Sequence, residues 1–408
     1  MSASTLPSDV EHRPAKSSRR ARVSRFARIL LGATMAVHVP VGLAVADVAD
    51  RLGHLRHPKL VGLLWAAGGV ALFLLLVRTA SPDRRRSAFA VGLFEIPYFI
   101  HWCAAVFAFV PSIVATLLAP LVEFVRSEPF RLPMWAYAWS YGAGLLVCGY
   151  GVLVRRRWFR VVERELHVPG LDACFDGFRV AHLSDLHIGM LTPRSWGLAW
   201  ARAANRRGPD LAVVTGDLIT SGPAFHGDVA DVIGELRAES GVYVSMGNHD
   251  YFGDGELLVA TLRSRGARVL RNEGEVVQRG AARLWVAAID DTWTRRDDVE
   301  RALRDRPAGC PVLLLAHDPS SFDDASDAGA TVVLSGHTHG GQIAAPFLSQ
   351  FVNLAFVYRY RIGFYRRGRS VLYVHPGLGT TGPPIRLGVA PEVTILVLRS
   401  NSAGAALG

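Results

Sequence analysis

Cysteine is scarce in this 408-residue chain: Cys103, Cys148, Cys174 and Cys310 are the four present, and no C-x-x-C spacing occurs. That excludes a disulfide framework and a thiolate metal site, and it fits a reduced, cytosolic setting for any catalytic part. A basic excess is missing from the second half, where residues 165–408 carry 24 Lys and Arg against 26 Asp and Glu. The net charge of +10 arises in residues 1–164, with 21 against 9. The pI near 9.9 therefore describes the flanks of apolar segments, and a nucleic-acid partner is disfavoured. Internal repeats are absent as well.

Apolar residues are abundant. Half of the chain is hydrophobic and the mean hydropathy is positive. The surplus sits in the first ~155 residues, as expected of a part that lives in lipid. Residues 1–28 are polar and arginine-rich (Arg19, Arg20, Arg22, Arg25, Arg28) and read as a disordered tail on the cytoplasmic side. Four apolar stretches come next, near 29–48, 60–77, 88–110 and 135–154. Each is long enough to cross a ~30 Å hydrocarbon core at about 1.5 Å per residue.

The short flanks decide orientation. Arg84-Arg85-Arg86 follows the second stretch, and Arg155-Arg156-Arg157 with Arg160 follows the fourth. Asp47, Asp50, Glu123 and Glu128 balance the other two loops. The positive-inside rule then predicts a multi-pass protein of the inner or plasma membrane, with both termini and the second half in the cytoplasm. Trp135, Tyr137, Trp139 and Tyr141 open the fourth stretch as an interfacial aromatic belt. Residues 111–125 begin with Pro111 and contain Pro120, so an outer-surface or re-entrant segment is expected there; a fifth span would put the Arg155 cluster and the second half outside. Ala44-Val45-Ala46 has the form of a signal-peptide cleavage site, but Pro40 and the length of the first stretch favour an anchor. Glu95 and His101 are ionisable groups inside the third stretch, and Glu95 is expected to reach interfacial water from near a helix end.

After a linker, residues 156–176, the texture changes to alternating short apolar runs and amphipathic helices through residues 177–400, and residues 401–408 form a terminal tail. Strands are predicted near 178–183, 211–215, 242–246, 283–289, 311–316, 331–335, 371–375 and 393–398. Helices are predicted near 194–206, 228–238, 255–265 and 297–305. Such alternation indicates a layered α/β fold with buried strands.

Five short strings carry the chemistry: Asp185-Leu186-His187, Gly216-Asp217, Gly247-Asn248-His249-Asp250, His317 and Gly336-His337-Thr338-His339. Each follows an apolar run and so stands past a strand's C-terminal end, where ligands gather in open α/β sheets. Hydrolysis of a phosphate ester near neutral pH needs a strong nucleophile and neutralisation of the phosphoryl oxygens, and two divalent metals about 3.5–4 Å apart supply both. Such a site takes carboxylate, imidazole and amide donors, with one carboxylate bridging. Asp217 is the candidate bridge, and the amide of Asn248 limits the negative charge of the cluster. In the glycine-rich loop after the 331–335 strand, His337 and His339 can point at different metals.

These strings, with Ser184 before Asp185, Gly340-Gly341-Gln342, Asp290-Asp291 and Gly377-Leu378-Gly379, resemble the calcineurin-like metallophosphoesterases, specifically a membrane-anchored branch with several N-terminal spans. The resemblance covers roughly residues 160–400 and implies a four-layer αββα sandwich. It implies one metal on Asp185, His187, Asp217 and His339 and a second on Asp217, Asn248, His317 and His337, the ions being Mn2+, Fe2+/Fe3+ or Zn2+. It further implies that His249 faces the leaving group as a general acid, with Asp250 orienting its ring. The chain departs from the pattern at Ala344 and Ala345, where many relatives carry a basic residue, and at His375-Pro376, where relatives have a small polar residue and an arginine.

His182, inside the first strand of this region, reads as a core residue. The stretch Phe347–Arg369 interleaves Phe347, Phe351, Phe356, Tyr358, Tyr360 and Phe364 with five arginines; it reads either as a surface for anionic headgroups and acyl chains or as a hairpin packed on a sheet. The functional expectation is a membrane-anchored, two-metal phosphodiesterase or pyrophosphatase acting on a phospholipid or nucleotide-lipid such as UDP-diacylglucosamine. Alternatives are a hydrolase of soluble phosphodiesters or phosphomonoesters, and a membrane sensor or transport module with a regulatory phosphoesterase-like domain.

Overall fold

The computed structural model describes residues 16–51, 53, 56–79, 84–126, 132–345 and 353–400. The chain divides into two compact units, Met1–Ala80 with Trp102–Gly144 and Ser81–His101 with Leu145–Gly408. The apolar part contains α1 (Lys16–Arg51), α2 (Pro58–Thr79), α3 (Ala88–Ala90), α4 (Ile96–Arg126) and α5 (Leu132–Tyr150). A π-helical turn, Val91–Glu95, joins α3 to α4, and another, Gly151–Arg155, extends α5. Four stretches are long and apolar enough to cross a membrane: Arg28–Arg51, Pro58–Thr79, Ala88–Val125 and Ala136–Arg155. In the first unit Val37 and Val41 pack with Ala105, Ala108 and Tyr137, and Trp102 donates to Thr34 Oγ1 at 3.1 Å.

Three expectations for this part are corrected. Helix α1 begins at Lys16, inside the stretch expected as a disordered tail. Lys16 to Arg28 contains neither proline nor glycine, so a helix nucleated in the apolar run propagates through it at little cost. Residues 1–15 lie outside the described residues, as do 401–408. Residues 111–125 are not a separate surface segment: α4 runs through Pro111 and Pro120 to Arg126. Ser112 donates to the Ala108 carbonyl (2.5 Å) and Thr116 to that of Ser112 (2.8 Å), so the hydroxyls beside the prolines find their partners inside the helix, as polar groups in a span must. Glu95 does not reach for water. It is buried and paired with Arg86 at 2.8 Å.

The second unit contains two six-stranded sheets. Strands β1 (Arg160–Val168), β2 (Arg179–Leu183), β3 (Leu211–Thr215), β4 (Val242–Ser245), β5 (Arg268–Val269) and β12 (Glu392–Ser400) form one, in the order β1-β12-β2-β3-β4-β5. Strands β6 (Glu273–Arg279), β7 (Ala282–Ala288), β8 (Val312–Leu315), β9 (Val332–Ser335), β10 (Gly363–Arg367) and β11 (Ser370–Val374) form the other, in the order β10-β11-β9-β8-β7-β6. Alternation along β3 shows why the layers form. Leu211 and Val213 face Val286, Leu313 and Leu334 of the other sheet, while Ala212 and Val214 face α6 (Arg194–Asn205), α7 (His226–Glu235) and α8 (Gly255–Arg263). The short helices α9 (Val299–Leu303) and α10 (Phe322–Asp327) cover the outer face of the second sheet. The result is the four-layer αββα sandwich.

The expected linker, 156–176, contains a nine-residue strand. Arg160-Val161-Val162-Glu163-Arg164-Glu165-Leu166-His167-Val168 forms β1 and pairs in parallel along all of β12. Its mixture of valines and charges is what a sheet edge with one solvated side requires. Ligand placement depends on register. Strands β2, β3 and β4 run parallel, with Leu183 beside Val214 and Thr215 beside Ser245, and Leu315 of β8 lies beside Leu334 of β9. The loops leaving these five strands therefore emerge at level ends of their sheets.

Candidate metal centre

The donors sit on those loops. Asp185, His187, Asp217 and His339 each offer an atom within 4.8 Å of the others, and Asp217, His317 and His337 make a second such group. Asp217 belongs to both. Its Oδ2 lies 3.5 Å from His187 Nε2 on one side and 3.3 Å from His317 Nε2 on the other. His187 Nε2 and His339 Nε2 face each other at 3.0 Å, His339 Nε2 lies 3.3 Å from Asp185 Oδ1, and His337 Nδ1 lies 3.2 Å from His317 Nε2. Asn248 enters beside them: the next amide, His249 N–H, donates to Asp217 Oδ1 at 2.9 Å.

Backbone geometry holds the donors there at a cost. Asp185, His187, Asp217, His337 and His339 all have φ between 45° and 68°, a left-handed conformation that costs a side-chain-bearing residue about 1–2 kcal/mol. Clusters of such residues mark sites where the fold enforces a geometry. The β9 loop comes so close that a Cβ at Gly336 would collide with Ser184 Oγ and Asp185 Oδ2, and in return His337 N–H donates to Asp185 Oδ1 at 2.9 Å.

The residues fit a metal pair. Asp185 Oδ2 and Asn248 Oδ1 are buried with no hydrogen-bond partner among the described residues, a costly state unless a cation takes up those lone pairs. Two imidazole nitrogens at 3.0 Å share a single proton at best, whereas two lone pairs aimed at one ion suit a metal. Electrostatics agrees. Burial alone would raise the Asp217 carboxyl, but the imidazoles of His317 and His249 outweigh it and hold the group well below the usual carboxylate range. Burial likewise opposes charge on His317, yet Asp217 and then Asp185 push that imidazole well above its ordinary value. Burial, then the Asp217 charge, push Asp185 up to about 6. Burial pushes His187 down to about 3 and His337 down to about 4, and holds His339 well below its ordinary value, which keeps these three imidazoles neutral as ligands must be; His317, raised by the carboxylates, holds the positive charge that a cation would supply in its place.

His249 stands beside the cluster, half-buried, its ring edge-on to that of His187 with centroids 4.7 Å apart. Its Nδ1 donates to the Thr220 carbonyl at 2.7 Å, and Nε2 lies 3.4 Å from Thr381 Oγ1. The expectation that Asp250 orients this ring is wrong. Asp250 is buried and accepts from the backbone N–H groups of Leu218, Ile219 and Gly247 at 2.8, 3.3 and 2.8 Å. It ties the β3 loop to the β4 loop, because the 3-10 turn His249–Tyr251 points successive side chains apart. Burial and then the Asp217 charge push its carboxyl up to about 8, against the pull of those N–H groups.

Two contributors had escaped the motifs. Arg386 is wholly buried; it donates to the carbonyls of Gly379 and Pro376 at 2.6 and 2.9 Å, and its Nη2 lies 3.4 Å from His339 Nδ1. Burial pushes its guanidinium down to about 9 against the pull of Asp185. The signal for it is faint: Arg386 is the one charged residue between Pro376 and Pro391. Tyr358 sets its hydroxyl 3.4 Å from His337 Nε2. It comes from the Phe347–Arg369 stretch, much of which packs on the sheet: Tyr360 and Tyr365 join the α10-side core, and Arg359 and Arg367 pair with Asp323 at 2.6 and 2.7 Å. Phe347 and Phe351 lie outside the described residues. His182 is a core residue, 2.9 Å from Thr215 Oγ1, and buried His375 lies against it, the ring centroids 4.7 Å apart and the planes tilted by 56°.

Comparison with known proteins meets this geometry. The calcineurin-like phosphoesterase family model matches residues 178–341, which contain all six clustered donors and Asn248. The chain is 30% identical over 223 residues to the uncharacterized metallophosphoesterase YkoQ of Bacillus subtilis, covering 53% of this chain and 81% of that one. It is 32% identical over 291 residues to the transmembrane protein with metallophosphoesterase domain of Danio rerio, covering 68% and 65% of the two chains. It is 28% identical over 254 residues to the phosphodiesterase YaeI of Escherichia coli, covering 61% and 92%. A sandwich that brings Asp and His donors from level strand ends around a shared aspartate, in a sequence with these relatives, belongs to the calcineurin-like phosphoesterase family of metal-dependent phosphoester hydrolases.

Proposed function

We propose that this chain is a membrane-anchored phosphodiesterase or pyrophosphatase, with its catalytic unit on the cytoplasmic face of the inner or plasma membrane. Its substrate would be the phosphate ester of a phospholipid or nucleotide-lipid, UDP-diacylglucosamine being one example. The observation that supports this best is the pair of Asp/His groups sharing Asp217, in a chain with four helices of spanning length. The phosphodiesterase name of the YaeI relative favours a diester.

Asp185, His187, Asp217 and His339 would hold one ion and Asp217, Asn248, His317 and His337 the other; Mn2+, Fe2+/Fe3+ and Zn2+ all suit these donors. Bound there, two divalent ions supply a nucleophile at neutral pH and neutralise the phosphoryl oxygens. The protein supplies the rest. With Nδ1–H committed to the Thr220 carbonyl, His249 would hold or deliver a proton at Nε2, which gives up only the long 3.4 Å contact to Thr381 Oγ1 to meet a leaving oxygen. Buried Arg386 fixes the loop behind His339.

The test is hydrolysis of a bis-aryl phosphodiester by the purified full chain with added Mn2+, beside membrane lipid extracts analysed before and after incubation. Asp217→Ala should abolish turnover and leave fewer than one metal per chain by elemental analysis. Two tightly held metals in that variant would show that Asp217 is not shared.

A further inference from the structure

The same unit that carries the metal centre also carries the ends of two apolar helices, and their contacts are directed. Arg85, just before α3, pairs with Asp228 at 2.9 Å and donates to the Ala224 carbonyl at 3.1 Å, on the loop that follows Asp217. Arg156, just after the last span, donates to the Leu191 carbonyl at 2.8 Å, on the loop that follows His187. Gly151, inside the span's last turn, accepts from Arg386 N–H at 3.3 Å, and a Cβ there would lie 2.8 Å from Ile385 Cγ1. Ala224, Leu191 and Arg386 all lie on segments that leave the ligand-bearing edge, and Asp228 opens the helix that follows the first of them. Gly151 lies within the apolar stretch Ala136–Arg155, about 6 Å inside its end at 1.5 Å per residue. The Ile385–Leu387 segment thus packs against the last turn of that stretch.

From that segment the rim continues laterally. Leu387 O accepts from Ala344 N–H at 2.8 Å, and Ile343 O accepts from Leu354 N–H at 3.0 Å. Three extended segments side by side place Leu354 about 10 Å from the one that touches the span, at the usual strand spacing. There the side chains of Leu354, Phe356 and Val357 are 58%, 66% and 71% exposed. The turn that presents them is tied down: Tyr358 N–H donates to Ala355 O at 2.9 Å, and Ala355 is buried. The next residue, Tyr358, reaches His337.

We propose that Leu354, Phe356 and Val357 form a wedge that enters the headgroup layer of the leaflet from which the last span emerges, so that the metal centre takes its phosphate ester directly from the bilayer surface. This deepens the membrane-anchored reading above and rests on it. Three apolar side chains on a rigid turn, continuous with a segment that packs on the end of the last span, have a lipid surface as their natural occupant. A polar, diffusing substrate would gain nothing from them.

The test uses the full chain in lipid nanodiscs. Phe356→Cys, in a Cys174→Ser background whose remaining cysteines are buried, is labelled with a small fluorophore, and exposed Gln278→Cys serves as control. Acyl-brominated lipids should quench the label at 356 at least threefold more than the label at 278. Equal quenching at the two positions overturns the wedge, as does a Phe356→Cys thiol that resists labelling because it pairs in a disulfide with the same position of a second copy of the chain. A second arm separates the wedge from the substrate. If the wedge feeds the site, Phe356→Glu lowers turnover of a nanodisc phospholipid at least tenfold more than that of a soluble aryl phosphodiester. Quenching at 356 without hydrolysis of any membrane lipid keeps the wedge and discards the lipid substrate.

Discussion

His249 and Asp250 are neighbours in sequence that do different work, and substitution separates them. The His249 main-chain amide donates to Asp217, while its ring bonds Thr220 and meets Thr381. His249→Ala keeps that amide, so both metals should stay while turnover falls by about 10²–10⁴, the range for loss of a positioned acid or base. Asp250→Ala strips the acceptor from three buried N–H groups and should cost about 3 kcal/mol of stability, read as a lower melting temperature with metal loss arising from loosened loops. Equal metal loss in both variants at unchanged melting temperature would make His249 a ligand. Asp185, His187, Asp217, His317, His337 and His339, which the fold gathers, were legible in sequence because two-metal chemistry calls for those residue types just past strand ends. Asp250 was not, since adjacency says nothing about direction inside a 3-10 turn, and Arg386 reaches His339 only through the fold.

At the scale of elements, what the sequence showed clearly was whatever buries two faces. Strands β2, β3, β4, β8 and β9 are continuous apolar runs, and their expected and observed bounds differ by a residue or so. Strand β1 was hidden because an edge strand with charges on one side looks like a linker until β12 comes to pair with it. Helix α4 was broken at Pro111 on propensity, although inside an apolar segment a proline costs less than unravelling the backbone. Strand β2 carries its own prediction. Burial pushes His182 down to about 3, below its unfolded value of about 6.5. Between those values the folded chain binds fewer protons than the unfolded one. This group's contribution is therefore intact above pH 6.5 and is lost as pH falls, at up to about 1.4 kcal/mol per pH unit. His182→Gln can keep a bond to Thr215 without a charge to acquire. Melting temperatures of the metal-loaded protein between pH 7.5 and 5 should fall less steeply in the variant; parallel curves would mean that His182 does not carry the acid sensitivity.

On the scale of the whole molecule, the arginine clusters serve two ends. Arg84–Arg86 and Arg155–Arg157 are the flanks that the positive-inside rule places in the cytoplasm. Arg85 and Arg156 also grip the loops behind Asp217 and His187. Their guanidinium groups lie near the Phe225 and Trp196 rings, at 4.9 and 5.1 Å, a favourable cation–π arrangement. A reversed topology would carry these arginines, and the site they grip, across the membrane together. Orientation can therefore be read from one native side chain. Cys174 is exposed on the catalytic unit, whereas Cys103, Cys148 and Cys310 are buried. In sealed vesicles with the outer face outward, a membrane-impermeant maleimide should leave Cys174 unlabelled until detergent is added, and in inverted vesicles it should label at once. Labelling of intact outward-facing vesicles would place the metal centre outside, and the arginines that hold its loops would then be docking residues alone.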